Sequence, residues 1–477
     1  MNTTETMGQF YIDGAWVEPL GGAVFDVINP ATEGAIGTIA MASGGDVDRA
    51  VGAAKSAFPS YAATTVDQRL TWFGNLLAIY RQRADEMTQA MTAEMGSPLT
   101  FTRDVQTPCG DGHIEVIIET LQKFDFDGLS PRGGSRIVHE PVGVAALITP
   151  WNWPINQVIV KVLPALAAGC TCVLKPSEEA PLSALLFAEM IHDAGFPPGA
   201  FNLINGNGAV AGAALSAHRD VDMVSFTGST RAGVAVAKAA ADTVKRVTLE
   251  LGGKSPNLLF ADADLETAVK WSVDACFSNA GQTCDAPTRL LVERSVYDQA
   301  KEIAIQAALN TKVGDPAVAG DHIGPVVNKR QFENIQRLIQ QGIDEGATLL
   351  AGGIGRADDR EVGYFAKPTL FADVEHHMTI NREEIFGPVL CMMPFDGEAE
   401  AIRLGNDTPY GLGAYVQTGD PDRADRVARA LRAGNVSING TAYDYDAPFG
   451  GMKQSGNGRE NGVYGLEDYL DIKTITG

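Results

Sequence analysis

Basic residues are scarce in this chain: 37 lysines and arginines face 59 aspartates and glutamates, for a formal net charge of −22. No run of basic residues breaks that excess. So acidic a surface repels polyphosphates and anionic headgroups, and neither nucleic acid nor a membrane is expected as a partner. Long apolar runs are missing too. The most apolar stretch, residues 155–174, is interrupted by Asn156, Gln157, Lys161 and Pro164, which excludes an ordinary membrane span. Six cysteines scattered through 477 residues make no disulfide framework. The opening residues, "MNTTETMGQFYIDGAW", lack the basic-then-apolar pattern of a secretory leader. Free thiols in a reducing cytoplasm are the expectation.

Several functional signatures are absent as well. No histidine–carboxylate cluster has metal-ligand spacing, so no metal is expected. His376 and His377 are adjacent and would not share a face of a helix or strand. No serine sits in a G-x-S-x-G elbow. "ELGGKS" ends like a phosphate-binding loop, but Thr248 stands where its first glycine is required. There is no internal repeat and no low-complexity linker.

What is present is a glycine-rich globular chain, 45% hydrophobic with 52 glycines, too long for one ordinary core. Two or three domains are predicted. "DVDRAVGAAKSAF" reads as a helix, and "QRLTWFGNLLAIYRQRADEMTQAMTAEMG" as another. In the second, Leu70, Phe73, Leu77, Tyr80, Ala84, Met87 and Met91 recur at spacings of three and four, a core-facing stripe. From Val142 the texture changes. "VGVAALI", "TCVLK", "FNLI", "MVSFTG" and "RVTLEL" read as strands, with helical segments starting near Ile155, Pro181, Ala209 and Thr230. This alternation predicts an α/β fold with a doubly wound parallel sheet. A second α/β section follows, with strands at "PNLLF", "TRLLV", "ATLLAG" and "GAYVQ"; near the end "YLDIKTIT" reads as a strand, with "SRIVHEPV" as its possible partner. Cys170 and Cys172 alternate along a buried strand and read as small apolar filler. "NGNGAVAG" fits a dinucleotide fingerprint after a strand, a weak signal among so many glycines.

The chemistry gathers around "FSNAGQTCDAPTRLLV". A catalytic cysteine needs a means of activation, a base for any water step and donors for an oxyanion. Cys284 is the thiol, Glu250 in "VTLELGGKSP" a carboxylate and Asn152 in "TPWNWP" an amide. Taken singly these read equally well as a buried cysteine, a solvated strand end and a turn asparagine.

Taken together, "TPWNWP", "KPSE", "FTGSTRAG", "ELGGKSP", "GQTC", "EEIFGPV", "NDTPYGLGAYV" and "PFGGMKQSGNGRE" occur in an order that resembles the aldehyde dehydrogenase superfamily over nearly the whole chain. The resemblance implies an NAD-binding domain (residues 1–122 and 141–252), a catalytic domain (253–451) and a β-arm for oligomerisation (123–140 and 452–477). A homodimer or homotetramer would result, because exposed edge strands favour pairing with another copy. It further implies Cys284 as the nucleophile towards an aldehyde and Asn152 as the oxyanion donor. Glu250 would be the base that hydrolyses the thioester, with Lys161 and Glu460 in support. For the cofactor it implies Ile148, Trp151, Lys175, Glu178, Gly208, Gly228, Ser229, Thr230, Gly233, Leu251, Glu384 and Phe386. Glu178 would favour NAD over NADP, since its carboxylate suits a ribose diol and repels a 2′-phosphate. By family position Trp153, Gln157, Val160, Thr283, Asp285, Tyr443 and Phe449 would line the substrate channel. That aromatic and polar set points to an aromatic or ω-functionalised semialdehyde. Asp285 has two readings: facing the channel it would disfavour the thiolate, and turned away it would be a structural hydrogen bonder. The alternatives are a coenzyme A-acylating member, which would not need Glu250, and an inactive structural relative.

Overall fold

Between Val144 and Glu250 the apolar runs become five parallel strands: β1 (Val144–Ile148), β2 (Thr171–Lys175), β3 (Phe201–Leu203), β4 (Met223–Thr227) and β5 (Arg246–Glu250). Every residue of β1 to β4 is buried in the computed structural model, which describes residues 6–477. Residues 1–5 of the polar opening stretch lie outside the described residues. The side chains of these strands are mostly apolar because both faces of the sheet are covered. Ala145 and Leu147 point into one core with Phe73, Ile159 and Leu186, while Val144, Ala146 and Ile148 point into another with Val47, Leu215 and Val236. The strand order is β5-β4-β1-β2-β3. The winding reverses between β1 and β4, so a crevice opens beyond their carboxyl ends.

Short antiparallel pieces extend this sheet. Phe10–Ile12 and Ala15–Val17 form a hairpin beyond β3, and Gly456–Asn457 pairs with β5 at the other edge. That last pairing brings the start of segment 452–477 into the first sheet, with Gly456 opposite Glu250. Only Leu470–Ile475 belongs to the separate three-stranded sheet, where it runs antiparallel to Arg136–Pro141, itself paired with Asp127–Leu129.

The second large sheet comprises β6 (Pro256–Leu259), β7 (Arg289–Glu293), β8 (Thr348–Ala351), β9 (Thr369–Ala372), β10 (Val389–Phe395), β11 (Gly413–Gln417) and β12 (Asn435–Ile438). Its order is β8-β9-β10-β7-β6-β11-β12, parallel except for β8 against β9. β9, β10 and β12 are absent from the sequence reading; short apolar runs of this kind carry no alternation to mark them as strands. The single helix expected over residues 68–96 is two, Val66–Gln82 and Ala84–Met95, broken at Arg83 (φ −105°, ψ 17°). Arg83 leaves the helical register to bind Glu86 and Glu189. Among the described residues no helix is long and apolar enough to cross a membrane.

Candidate active site

Cys284 follows a left-handed turn. Asn279 (φ 53°), Ala280 (φ 55°) and Gly281 (φ 71°) are left-handed in succession, a conformation costing about 1–2 kcal/mol for each residue with a Cβ. Gly281 is required for space: a Cβ there would lie 2.1 Å from the Gly387 carbonyl oxygen. Buried amides hold the turn. Asn279 Nδ2 donates to the carbonyls of Asn152 (2.8 Å) and Gln282 (3.3 Å), and Gln282 Nε2 returns a bond to the Asn279 carbonyl (3.0 Å). Gln106 Nε2 donates to Asn279 Oδ1 at 3.2 Å, and Gln282 Oε1 accepts the Val327 N–H at 2.9 Å. Asn152 Nδ2 donates to the Gln282 carbonyl at 3.1 Å, tying the amide to the thiol's own loop. Backbone strain of this kind persists only where its surroundings over-determine it. The sequence reading missed Gln106, Asn279 and Gln282; the only signal was Asn and Gly spaced one residue apart, both tolerant of the left-handed region.

Cys284 is partly exposed, whereas the other five cysteines are buried. Burial pushes its thiol well above the ordinary range, and the carboxylates of Asp285, Glu384, Glu250 and Glu460 push it further. It opens on a cavity of about 320 Å³ lined with Trp151, Asn152, Leu251, Glu384 and Phe386. Trp151, Thr227, Gly228, Ser229 and Arg330 also border a groove of about 620 Å³ that reaches Ile148, Lys175, Glu178 and Gly208. The two spaces occupy the crevice where β1 and β4 diverge. Ten of the twelve residues expected at a cofactor are therefore on one continuous surface. Thr230 opens the helix that Ser229 caps, and Gly233 follows one turn further in. The Thr230 hydroxyl donates to the Gln454 carbonyl at 3.3 Å. Gly233 is a packing position: a Cβ there would meet Leu251 Cδ2 at 2.6 Å.

Carboxylates stand at both ends of this surface. Glu178 lies 3.6 Å from Lys175 Nζ. Glu384 Oε1 accepts the Gly253 N–H at 3.0 Å; burial pushes its carboxyl up to about 7, opposed by that bond and by Lys254. Between them Ser229 caps the helix Thr230–Ala240. Phe386, left-handed at φ 55°, sets its ring edge-on to Trp151 at 5.4 Å. Gln331 holds that loop by donating to the carbonyls of Ile385 and Phe386 at 3.0 and 2.9 Å.

Glu250 ends β5 behind the thiol. It is 5% exposed and neither carboxylate oxygen has a hydrogen-bond partner. Burial raises its pKa well above the usual carboxylate range, and the charge of Glu460 raises it further. Lys161 Nζ donates to Glu460 Oε1 at 2.5 Å and to Ser225 Oγ at 3.2 Å. A Cβ on Gly450 would lie 2.7 Å from Glu250 Oε1, so the returning C-terminal chain passes close over the carboxyl.

The expected channel residues are placed unevenly. Trp153 Nε1 donates to Thr283 Oγ1 at 3.1 Å, and its ring meets Phe101 at 5.7 Å. Gln157 is buried with Oε1 unpartnered. Val160 borders a void of about 20 Å³ shared with His113 and Asn461. Phe449 pairs through its main chain with Glu460. Tyr443 is half-exposed. Asp285 lines none of these spaces: its Cβ packs against Gly413, and its backbone carbonyl accepts the Tyr415 hydroxyl at 2.9 Å. Its charge still bears on Cys284. Phe101, which the sequence did not single out, leads from Trp153 to an outer groove of about 740 Å³ with Val105, Asp274 and Ser278. Among the described residues no three His, Cys, Asp or Glu side chains gather where they could hold a metal ion.

Comparison with known proteins agrees with this geometry. The aldehyde dehydrogenase family profile matches residues 16–475. A 3-succinoylsemialdehyde-pyridine dehydrogenase from a Pseudomonas species is 52% identical over 470 residues, 98% of each chain. An aldehyde dehydrogenase structure from Bartonella henselae superposes with a TM-score of 0.97 at 49% identity, covering 98% of each chain. A cysteine-to-alanine mutant of aldehyde dehydrogenase C from Pseudomonas syringae, complexed with NAD+ and octanal, gives a TM-score of 0.98 at 49% identity, covering 99% of this chain and 97% of that one. A match this extensive, to a chain whose thiol and amide share one cavity with the carboxylate of Glu384, establishes that the protein belongs to the aldehyde dehydrogenase family.

Proposed function

We propose that this enzyme oxidises an aldehyde carrying an aromatic or carbonyl-functionalised distal part to its carboxylic acid, with NAD+ as the hydride acceptor. The observation that carries the reading is the convergence of Cys284, Asn152 and Glu384 on one cavity that continues to Glu178. Glu178 and Glu384 suit ribose hydroxyls at the two ends of the surface, and the helix start after Ser229 offers N–H groups to a diphosphate. The carboxylate of Glu178 disfavours a 2′-phosphate, so NAD+ is preferred to NADP+.

In this mechanism the Cys284 thiol gives its proton to solvent and the sulfur attacks the aldehyde carbon. The resulting oxyanion accepts hydrogen bonds from Asn152 Nδ2, which has one N–H beyond that given to Gln282, and from the Cys284 N–H. Such donors, fixed in advance by the left-handed turn, stabilise charge as it forms. NAD+, when bound, supplies the hydride acceptor that turns the hemithioacetal into a thioester. Glu250 then takes a proton from water as it attacks the thioester, and the acid leaves with Cys284 sulfur as leaving group. A carboxyl held above the usual range is a stronger base once ionised, which suits this task. Lys161 and Glu460 position the carboxyl's surroundings.

Trp153, Phe101 and Tyr443 support an aromatic substrate, as does the likeness to a pyridine semialdehyde dehydrogenase. The octanal complex of the Pseudomonas syringae relative supports a rival, an unbranched aliphatic aldehyde. Steady-state rates over a panel of aldehydes, with NAD+ and NADP+ in parallel, decide between them. Preference for arylalkyl semialdehydes with NAD+ is expected; preference for acetaldehyde or glyceraldehyde 3-phosphate overturns the substrate assignment. The strand Leu470–Ile475 presents an open edge with Ile472 70% exposed, which supports a homodimer or homotetramer. A cytoplasmic location fits the acidic charge and free thiols.

A further inference from the structure

The surface that runs from Cys284 to Glu178 has little positive charge to offer a dinucleotide's diphosphate. Glu178, Glu179 and Glu384 border it, against three cations: Lys175, Arg231 and Arg330. Lys175 is spent on the protein itself. Its Nζ donates to the carbonyls of Pro176 and Gly206 at 2.7 and 2.6 Å and lies 3.6 Å from Glu178. Arg231 and Arg330 make no ion pair and no hydrogen bond among the described residues. Acidic residues outnumber basic ones by 59 to 37 in this chain, so an arginine left without a carboxylate calls for a reason.

Position separates the two. Arg231 borders the outer groove alone, in the first turn of the helix Thr230–Ala240. Arg330 borders both spaces, as do Trp151, Gly228 and Ser229, so it stands where cavity and groove meet. It comes from the other half of the molecule. Its helix, Lys329–Asp344, packs Ile335, Leu338 and Ile339 into the core of the second large sheet, whereas Ser229 follows β4 of the first. The helix start is pinned: Asn328 Oδ1 accepts the Gln331 N–H at 2.8 Å, and the Gln331 side chain holds the loop that carries Phe386. The backbone of Arg330 is therefore fixed, while its exposed guanidinium is left over. Its charge bears on Glu179 without forming an ion pair.

We propose that Arg330 is a further cofactor-binding residue, whose guanidinium pairs with the diphosphate of NAD+ from the wall supplied by the second sheet. The N–H groups after Ser229 serve the same diphosphate from the wall supplied by the first. A planar guanidinium suits two phosphate oxygens at once, which a lysine would meet only as a point charge. The inference rests on the reading above that the cofactor lies along this surface.

The test is isothermal titration calorimetry of the full-length protein with three probes: NAD+, ADP-ribose, which keeps the diphosphate, and adenosine, which lacks it. Arg330→Gln should weaken NAD+ and ADP-ribose by about 5- to 10-fold, the low end for a charge-assisted bond because the site is open to solvent. Adenosine should hold within about two-fold. Arg330→Lys should recover part of the loss, and added salt should narrow the gap between wild type and Arg330→Gln. Arg231→Gln removes the same charge from the outer groove alone and should weaken the diphosphate probes by less than about two-fold. Equal losses in the two glutamine variants, or adenosine weakened as much as ADP-ribose, overturn the proposal. So does an Arg330→Gln variant that binds all three like wild type while Glu178→Ala weakens them. If neither Arg330→Gln nor Glu178→Ala changes the binding of any probe, the cofactor reading beneath the proposal falls as well.

Discussion

Replacing Glu250 with glutamine separates two effects of one buried carboxyl. The side chain keeps its shape, and the native carboxylate has no close hydrogen-bond partner, the Gly451 N–H acting on it only weakly, so little bonding is lost. The native carboxyl titrates well above the ordinary range, first through burial and then through the charge of Glu460. The folded state therefore keeps the proton at pH values where the unfolded chain, with a carboxyl pKa of about 4.3, has released it. The stability contributed by this group is complete below that value and is lost as pH rises towards the raised folded-state pKa. Its slope is about 1.4 kcal/mol per pH unit. Glu250→Gln lacks the slope, so the variant should gain on wild type by up to that amount per unit as pH rises from about 5 towards the raised folded-state value. Activity should move the other way. Loss of a general base lowers kcat by about 10²- to 10⁴-fold, while the first turnover still releases NADH in a burst, because Cys284 and Asn152 are intact. Denaturant unfolding across the pH range gives the first quantity, and stopped-flow absorbance followed by steady-state rates gives the second. Parallel stability curves would refute the buried-charge argument, and unchanged steady-state turnover would refute the assignment of the base.

Asn152→Ala should lower kcat by about 10²- to 10³-fold through loss of an oxyanion donor, read from steady-state rates beside a thermal melt. Gly281→Ala places a Cβ 2.1 Å from the Gly387 carbonyl in a left-handed residue; a loss of about 2–4 kcal/mol in stability is expected from denaturant unfolding, with slower inactivation of Cys284 by iodoacetamide as the loop shifts. Glu178→Ala should raise kcat/KM for NADP+ relative to NAD+ by at least about ten-fold, and an unchanged ratio would show that another group selects the cofactor. Ile472→Glu on the open strand edge should lower the oligomeric mass in light scattering; a wild-type protein that already runs as a monomer would refute pairing through that edge.

Period and punctuation determined much of this protein. The runs "TCVLK" and "GAYVQ" are β2 and β11 to the residue, because a fully buried strand needs an unbroken apolar segment and glycine or lysine marks its end. The ordered motifs around Asn152, Glu250 and Cys284 named the family, since their chemistry demands those residue types whatever the surroundings. Sequence could not say that Asn279, Gln282 and Gln106 brace a left-handed turn, because that depends on amides brought together across 173 positions of chain. Nor could it show that Gly233 leaves room for Leu251, whose Cδ2 would lie 2.6 Å from a Cβ there. The ambiguity of Asp285 was of the same kind: packing against Gly413 and a bond from Tyr415 to its backbone carbonyl hold the residue, while its charge still acts on the thiol through the low-dielectric interior. Residue types and their order fix which chemistry is available. Contacts closed over long loops decide which side chain carries it, because direction, burial and the field of neighbouring charges exist only once the sheets have packed.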